Sequence, residues 1–293
     1  MCGAIGRARC FFAWPPMRWV GPTHGGPGDS DRTTDRRGIF HGVLTAVVAA
    51  ALLAPAWTPG LKAANHYADG RPGEVSFAVR TENDVWGRAL DRQVQSASVV
   101  KALLLVSYLR QPDVRSRDLT SEERHILSRM IRRSSNRAAS TVVVRLGAAK
   151  IDRTAHRVGM RRFYLDRAIW GRSLITAREE SRFFFHIDAR LPPRHRAWGM
   201  ELLRTVVQKQ RWGIGQAIPA GWTAYFKGGW GSGIGLVDHQ VVLLTRGQER
   251  VSVAVLTVTN GTHKTGKATL RGVFARLLRG LAESAAPIDR SAT

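Results

Sequence analysis

Ser98-Val-Val-Lys101, followed by Ala102-Leu-Leu-Leu-Val-Ser-Tyr-Leu109, is the stretch on which the reading of this chain turns. The apolar run predicts a buried helix. A serine in the first turn of such a helix sits at the positive end of the helix dipole, among N–H groups with no helical partner. A lysine three residues later shares its face, within reach of the hydroxyl. The pair is a nucleophile beside a base, at a place that favours developing negative charge. Alone the motif is weak, because a Ser-x-x-Lys arises by chance about once in a chain this long. Its weight comes from what surrounds it.

On the N-terminal side, Glu74-Val-Ser-Phe-Ala-Val-Arg80 alternates like a strand. Thr81-Glu-Asn-Asp is a turn, and Val85-Trp-Gly-Arg-Ala-Leu90 returns as a second strand. On the C-terminal side, Thr120-Ser-Glu-Glu123 is a capping box that opens a helix through Ile126, Leu127, Met130 and Ile131. That helix ends near Arg132-Arg133-Ser134-Ser135-Asn136, and a new one runs from Ala138 to Leu146 and stops at Gly147. Ser134 and Asn136 therefore sit in a break where polar side chains can point into a cleft; an ordinary turn and N-cap would read the same way. Further helices are expected at Lys150–Val158, after a second capping box at Thr176 and Glu179, and from Pro192-Pro193. The phenylalanines at 183–185 read as core.

Strands then dominate again: Thr223–Lys227, Leu236–Leu244 and Val251–Val258, with Gly228-Gly-Trp-Gly-Ser-Gly233 between the first two and an amphipathic helix over Thr269–Leu281 at the end. A hairpin, an inserted helical stretch and three more antiparallel strands predict an α+β fold, one five-stranded antiparallel sheet flanked by helices with an inserted all-helical subdomain. The expected division is a disordered N-terminus with a signal or anchor over 1–64, then one domain over 65–293. Its sheet part spans 65–97 and 208–293, and its helical part 98–207.

The chain of 293 residues has 45 Lys+Arg against 22 Asp+Glu, a net charge of +23. Only seven of the basic and three of the acidic residues lie in 1–64, so the remainder carries +19. Such a surface suits polyanions, including an anionic cell-wall polymer. The arginines are scattered, and no aromatic-interleaved RNA motif or zinc-finger spacing appears, which argues against nucleic acid. Both cysteines, Cys2 and Cys10, lie near the start, so the expected domain contains no disulfide.

Arg36-Arg37 precede a Val/Ala/Leu run from Val43 to Ala56, and Ala54-Pro-Ala56 offers small residues for cleavage. This order reads as a secretory signal and predicts an exported, extracellular or cell-envelope protein. The run is short of the ~20 residues of a membrane span, although extension to Ile39 leaves an uncleaved anchor open. Asp35 weakens a twin-arginine reading, and no cysteine follows the run to carry a lipid. The long Gly/Pro/Arg-rich start fits a cytoplasmic tail or a later start site such as Met17.

Gly261-Thr-His-Lys-Thr-Gly266-Lys267-Ala268 nearly matches a phosphate-binding loop between a strand and a helix. Ala268 lacks the hydroxyl that would bind Mg²⁺, and only 26 residues follow Lys267, too few to finish the required sheet.

Ser98-x-x-Lys101, then Ser134-x-Asn136, then Lys227-Gly228-Gly229, in that order, resembles the serine β-lactamase and penicillin-binding protein superfamily. The flanking residues Met130–Ser140 and Ile218–Gly229 look like its class A β-lactamase-like branch. The resemblance covers about 74–281. Lys264-Thr265-Gly266 is a rival third motif, but it lies past the last strand, so Lys227 is preferred.

The resemblance implies that Ser98 attacks a carbonyl to form an acyl-enzyme. Lys101 takes the serine proton if burial and Lys227 lower its pKa, and Ser134 passes a proton to the leaving nitrogen. Asn136 bonds the substrate amide, Lys227 orients Ser134 and a substrate carboxylate, and the N–H groups of Ser98 and Trp230, beside Gly229, form the oxyanion hole. No metal or organic cofactor is implied.

The departures are informative. Class A β-lactamases carry a glutamate that activates the deacylating water, whereas here no carboxylate lies between Asp166 and Glu179. Asp166 could substitute only in an unusual loop. Ser135 replaces an aspartate, Gly228 replaces a hydroxyl residue, and the Ser98–Ser134 span is short. The implied enzyme acylates with β-lactams or D-amino-acid peptides and amides and deacylates β-lactams slowly. A true β-lactamase with a non-standard base and a non-catalytic cell-wall binding protein are the alternatives.

Overall fold

The computed structural model describes residues 57–231 and 236–284. The apolar run at 43–56, its cleavage residues and both cysteines lie outside them.

Helix α1 (Leu61–Asp69) leads into the hairpin β1 (Glu74–Arg80) and β2 (Val85–Arg88). A short strand β3 (Val94–Gln95) and a 3₁₀ turn (Ala97–Val100) deliver the chain to α2 (Lys101–Leu109). All nine residues of α2 are buried, so it forms the axis of the helical region. Around it stand α3 (Pro112–Arg115), α4 (Ser121–Arg132), α5 (Asn136–Leu146) and α6 (Ala148–Arg157). Strand β4 (Leu174–Ile175), α7 (Ala177–Phe185), α8 (Ile187–Arg190) and α9 (Pro193–Arg204) follow. The chain closes with β5 (Thr223–Gly231), β6 (Val237–Arg246), β7 (Glu249–Val258) and α10 (His263–Leu277).

The main sheet has the order β2-β1-β7-β6-β5, every neighbouring pair antiparallel. The expected five-stranded sheet with an inserted helical subdomain is what the chain forms. Strand β6 is buried over eight consecutive residues, Val237–Leu244, because both faces of the sheet are covered. One face packs Val241, Leu243, Ala254 and Leu256 against the helical region. The other packs Phe77, Phe226, Val253 and Val255 against α10 and α1.

Several expectations are corrected. The stretch before Gly73 contains α1, so the boundary set at residue 64 falls inside a helix; its polar composition hid two alanines, Ala64 and Ala68, that supply the contact face. Strand β2 ends at Arg88, because Ala89 turns with φ +44°. Helix α5 starts at Asn136, two residues early, because Ser135 caps it by accepting from Ala138 N. Strand β5 continues through the glycines to Gly231. Helix α10 begins at His263, capped by Thr262, and ends at Leu277. The β3–β4 pair was not expected from the sequence.

The capping box at Thr120 is complete: its side chain accepts from Glu123 N while Glu123 accepts from Thr120 N. Thr120→Ala should cost about 1 kcal/mol and lower the melting temperature by about 2–4 °C, read by calorimetry. The second box is only half made. Thr176 accepts from Glu179 N, but the Glu179 carboxylate turns away to accept from Arg162 N at 2.9 Å.

Candidate active site

The 3₁₀ turn presents Ser98 beside the outer strand β5. Two local devices hold the turn. Ser96 N donates to Ser173 O at 2.7 Å, and β3 pairs with β4. Buried His239 accepts from Thr257 N at Nδ1 and donates from Nε2 to Gln95 O at 2.8 Å. Burial pushes the His239 pKa down to about 4, so the ring stays neutral and serves as a strut.

Gly229 of β5 lies against this turn. A Cβ there would come within 2.8 Å of Ser98 N and 2.9 Å of Ser96 O and Val99 N. Only glycine lets the two backbones approach so closely. Ala97, just before the serine, has φ +45°, and Ser134 has φ +55°. Such backbone costs about 1–3 kcal/mol per residue and persists where neighbours over-determine it.

Beneath Ser98 lie two buried lysines. Lys101 Nζ donates to Ser134 O at 2.6 Å and Asn136 Oδ1 at 2.8 Å, and lies 3.2 Å from Ser134 Oγ. Lys227 Nζ donates to Ser134 Oγ at 3.0 Å and Gly228 O at 2.7 Å. Both lysines have no exposed surface. Burial, and then the positive charge of Lys227, brings the Lys101 pKa down to about 6. Burial brings Lys227 down to about 7. A neutral Lys101 has two protons to donate and one lone pair. The carbonyl of Ser134 and the amide of Asn136 take the protons, and the Ser134 hydroxyl can donate to the lone pair while accepting from Lys227.

Six of the residues singled out from the sequence, Ser98, Lys101, Ser134, Asn136, Lys227 and Gly229, thus meet in one place. Lys227, not Lys264, reaches Ser134; Lys264 lies in the first turn of α10. Trp230 is the next residue of the outer strand, and its ring is partly exposed in edge contact with Trp212, centroids 6.0 Å apart. One expected contact is not made. Among the described residues the Ser98 hydroxyl has no hydrogen-bond partner, and Lys101 turns to Ser134 and Asn136 instead. Ser98 keeps 8 % of its surface exposed. Nucleophile–base hydrogen bonds often form only when substrate arrives.

No carboxylate among the described residues bonds either lysine. Asp166 is engaged elsewhere: its Oδ1 accepts from Ala168 N at 2.9 Å and Ile169 N at 2.8 Å. The sequence reading missed Trp170. It opens a 3₁₀ turn, Trp170–Arg172, that packs against the serine turn. Its ring centroid lies 4.9 Å from Lys101 Nζ, and its Nε1 donates to Ser140 Oγ at 3.1 Å. Nothing in the sequence distinguishes this tryptophan from a surface loop residue.

The near-match to a phosphate loop is also resolved. Asp238, buried, accepts from Asn260 Nδ2 and faces His263 Nδ1 at 3.1 Å. It touches the backbone at Gly266, so a carboxylate already sits where a phosphate would need to approach.

The sequence model described as the Beta-lactamase enzyme family matches residues 115–279. The chain belongs to the beta-lactamase enzyme family. The matched span contains Ser134, Asn136, Lys227 and Gly229, while Ser98 and Lys101 precede it. No curated protein matches the sequence. Among solved structures, the β-lactamase from Sphaerobacter thermophilus is similar at 19 % identity, with a TM-score of 0.67 over 78 % of this chain and 98 % of that one. An ancestral class A β-lactamase (GNCA) is similar at 18 % identity, with a TM-score of 0.65 over 75 % and 98 %. These likenesses establish a β-lactamase fold.

Proposed function

We propose that this chain is a serine hydrolase that forms an acyl-enzyme on Ser98 with β-lactams or D-amino-acid peptides and amides, and that hydrolyses the β-lactam adduct slowly. The observation that carries the reading is the pair of buried, low-pKa lysines joined through the Ser134 hydroxyl. In this reading neutral Lys101 takes the Ser98 proton as Oγ bonds to the carbonyl carbon. The Ser134 hydroxyl gives its proton to the leaving nitrogen and is replenished from the lysines. Lys227 attracts a substrate carboxylate, and N–H groups of Ser98 and Trp230 face the oxyanion. Slow hydrolysis is supported by the carboxylates nearest in sequence, Asp166 and Glu179, each being committed to backbone N–H groups. Cell-envelope substrates go with the export signal proposed for residues 43–56.

The test is intact-mass spectrometry of residues 57–293 after exposure to a penicillin, with Ser98→Ala as control. A lasting adduct on Ser98 is expected. Unmodified protein with intact penicillin would favour a binding protein, and unmodified protein with hydrolysed penicillin a true β-lactamase.

Acylation should show a bell-shaped pH profile in stopped-flow measurements with a fluorescent penicillin. The rate rises through about pH 6 as Lys101 loses its proton and falls above about 7 as Lys227 loses its own. The limbs belong to the coupled pair, since both lysines share one hydroxyl. Lys227→Met removes a neighbouring positive charge and should move the acid limb upward. An unmoved acid limb would show that the two lysines do not communicate.

A further inference from the structure

We propose that Trp170 is a positioning residue that sets the lifetime of the acyl-enzyme by keeping water away from Lys101; the inference rests on the acyl-enzyme reading above. Its indole stands between two environments. On one side it covers the amine of Lys101 at 4.9 Å. On the other its Nε1 is tied to Ser140, which lines an open surface groove of about 430 Å³ with Arg137, Thr141, Val144 and Arg145. The ring thus lies between Ser140, on the wall of that groove, and the buried amine.

The loop that carries it is tied at both ends by hydrogen bonds. Asp166 Oδ1 accepts from Ala168 and Ile169, and Asp166 N donates to Ser173 Oγ at 3.1 Å. Arg172 N donates to Ile169 O at 2.7 Å, and Ser173 O accepts from Ser96 N beside the nucleophile. Trp170 is placed by this framework before any substrate arrives.

In this proposal, hydrolysis of the ester on Ser98 uses water on the lysine side. The water oxygen bonds to the acyl carbon as its proton passes to the Lys101 amine. The bond from the acyl carbon to Oγ then breaks, Oγ regains a proton from Lys101, and the acyl group leaves as a carboxylic acid. With Asp166 and Glu179 committed elsewhere, Lys101 is the group that serves both halves, and the slow step in this proposal is the access of water to its amine. The π face itself favours the charged amine. Burial, with the positive charge of Lys227 second, opposes it and carries Lys101 from 10.5 to about 6. Removing the ring should therefore rehydrate the amine more than it deprives it of a cation–π partner.

The experiment follows the decay of the penicilloyl adduct by intact mass in native protein, Trp170→Ala, Trp170→Phe and Ser140→Ala. Trp170→Ala should lose its adduct about 10–100-fold faster, and the acid limb of its acylation profile should move upward as Lys101 is hydrated. Trp170→Phe keeps an aromatic cover and should stay near native on both readouts. Ser140→Ala unties the ring without removing it and should fall between, which keeps the test alive if Trp170→Ala does not fold. Adducts that decay at the native rate in Trp170→Ala and Ser140→Ala, with an unmoved acid limb, overturn the proposal. Native protein that forms no adduct at all overturns instead the acyl-enzyme reading on which it rests.

Discussion

Replacing Lys101 with Met should slow acylation of Ser98 by about 10²–10⁴-fold, the range in which a positioned general base contributes, while leaving a folded protein whose stability responds to pH differently from the native chain. The first effect follows from chemistry: a serine hydroxyl is a weak nucleophile until a neighbour takes its proton, and Lys101 is the buried amine on the same short turn and helix. The second follows from linkage. The folded-state pKa of Lys101 lies at about 6 and the unfolded-state value near 10.5. Between these values the unfolded chain binds a proton that the folded chain has lost, so this group raises stability as pH rises from 6 toward 10. Met has no proton to lose. It also leaves Ser134 O and Asn136 Oδ1 without their donor, an offset of about 1–3 kcal/mol for each acceptor that is nearly independent of pH. The difference in melting temperature, Lys101→Met minus native, should therefore be most positive near pH 6 and decline toward pH 10, whatever its absolute sign. A flat difference would mean that Lys101 is protonated in the folded state, and the acylation reading would lose its base.

The parts of the fold that were legible in the sequence are those written in local periodicity. Alternation marked β1, runs rich in valine and leucine marked β6 and β7, and a complete capping box marked the start of α4. The order of three polar motifs then told where the helical stretch is inserted in the sheet. What stayed hidden was set by tertiary contact. Helix α1 has a polar sequence and exists because Ala64 and Ala68 allow close packing on α10. The glycine-rich end of β5 looks like a loop, yet pairing of Gly228, Gly229 and Trp230 with β6 holds it extended. In the site, residue types announced the lysines and serines, because buried amines around a hydroxyl are rarely placed without purpose. Trp170 could not be announced. Its role depends on a loop geometry written in Asp166, Ser173 and Ser96, residues that look like ordinary turn formers.

The same contrast explains how the glutamate missing from the loop should be understood. Its absence alone suggests a damaged enzyme. The structure shows a loop stabilised around another arrangement, with Asp166 capping its turn, Glu179 anchoring Arg162 N and an indole over the amine. The loop is ordered around excluding the lysine from solvent.

Two adjacent glycines of β5 should respond oppositely to the same added methyl group. At Gly228 a Cβ would find its nearest neighbours 3.5 Å away, Gln240 Cγ and His239 O, which is ordinary contact. Gly228→Ala should fold and acylate near the native rate. At Gly229 the methyl would meet Ser98 N at 2.8 Å and Ser96 O and Val99 N at 2.9 Å. All three are backbone atoms, so no rotamer relieves the collision. The serine turn cannot simply retreat, because Ser96 N is tied to Ser173 O and Gln95 O to His239. Overpacking of this kind costs about 1–3 kcal/mol. The larger effect should be on chemistry, since the displaced atom is Ser98 N, a donor proposed to face the oxyanion. Loss of one such donor slows acyl transfer by about 10²–10³-fold. Stopped-flow acylation and thermal melts of both variants separate the two contributions. If Gly229→Ala acylates as fast as Gly228→Ala, then the outer strand does not fix the nucleophile turn, and the oxyanion site must be sought away from β5.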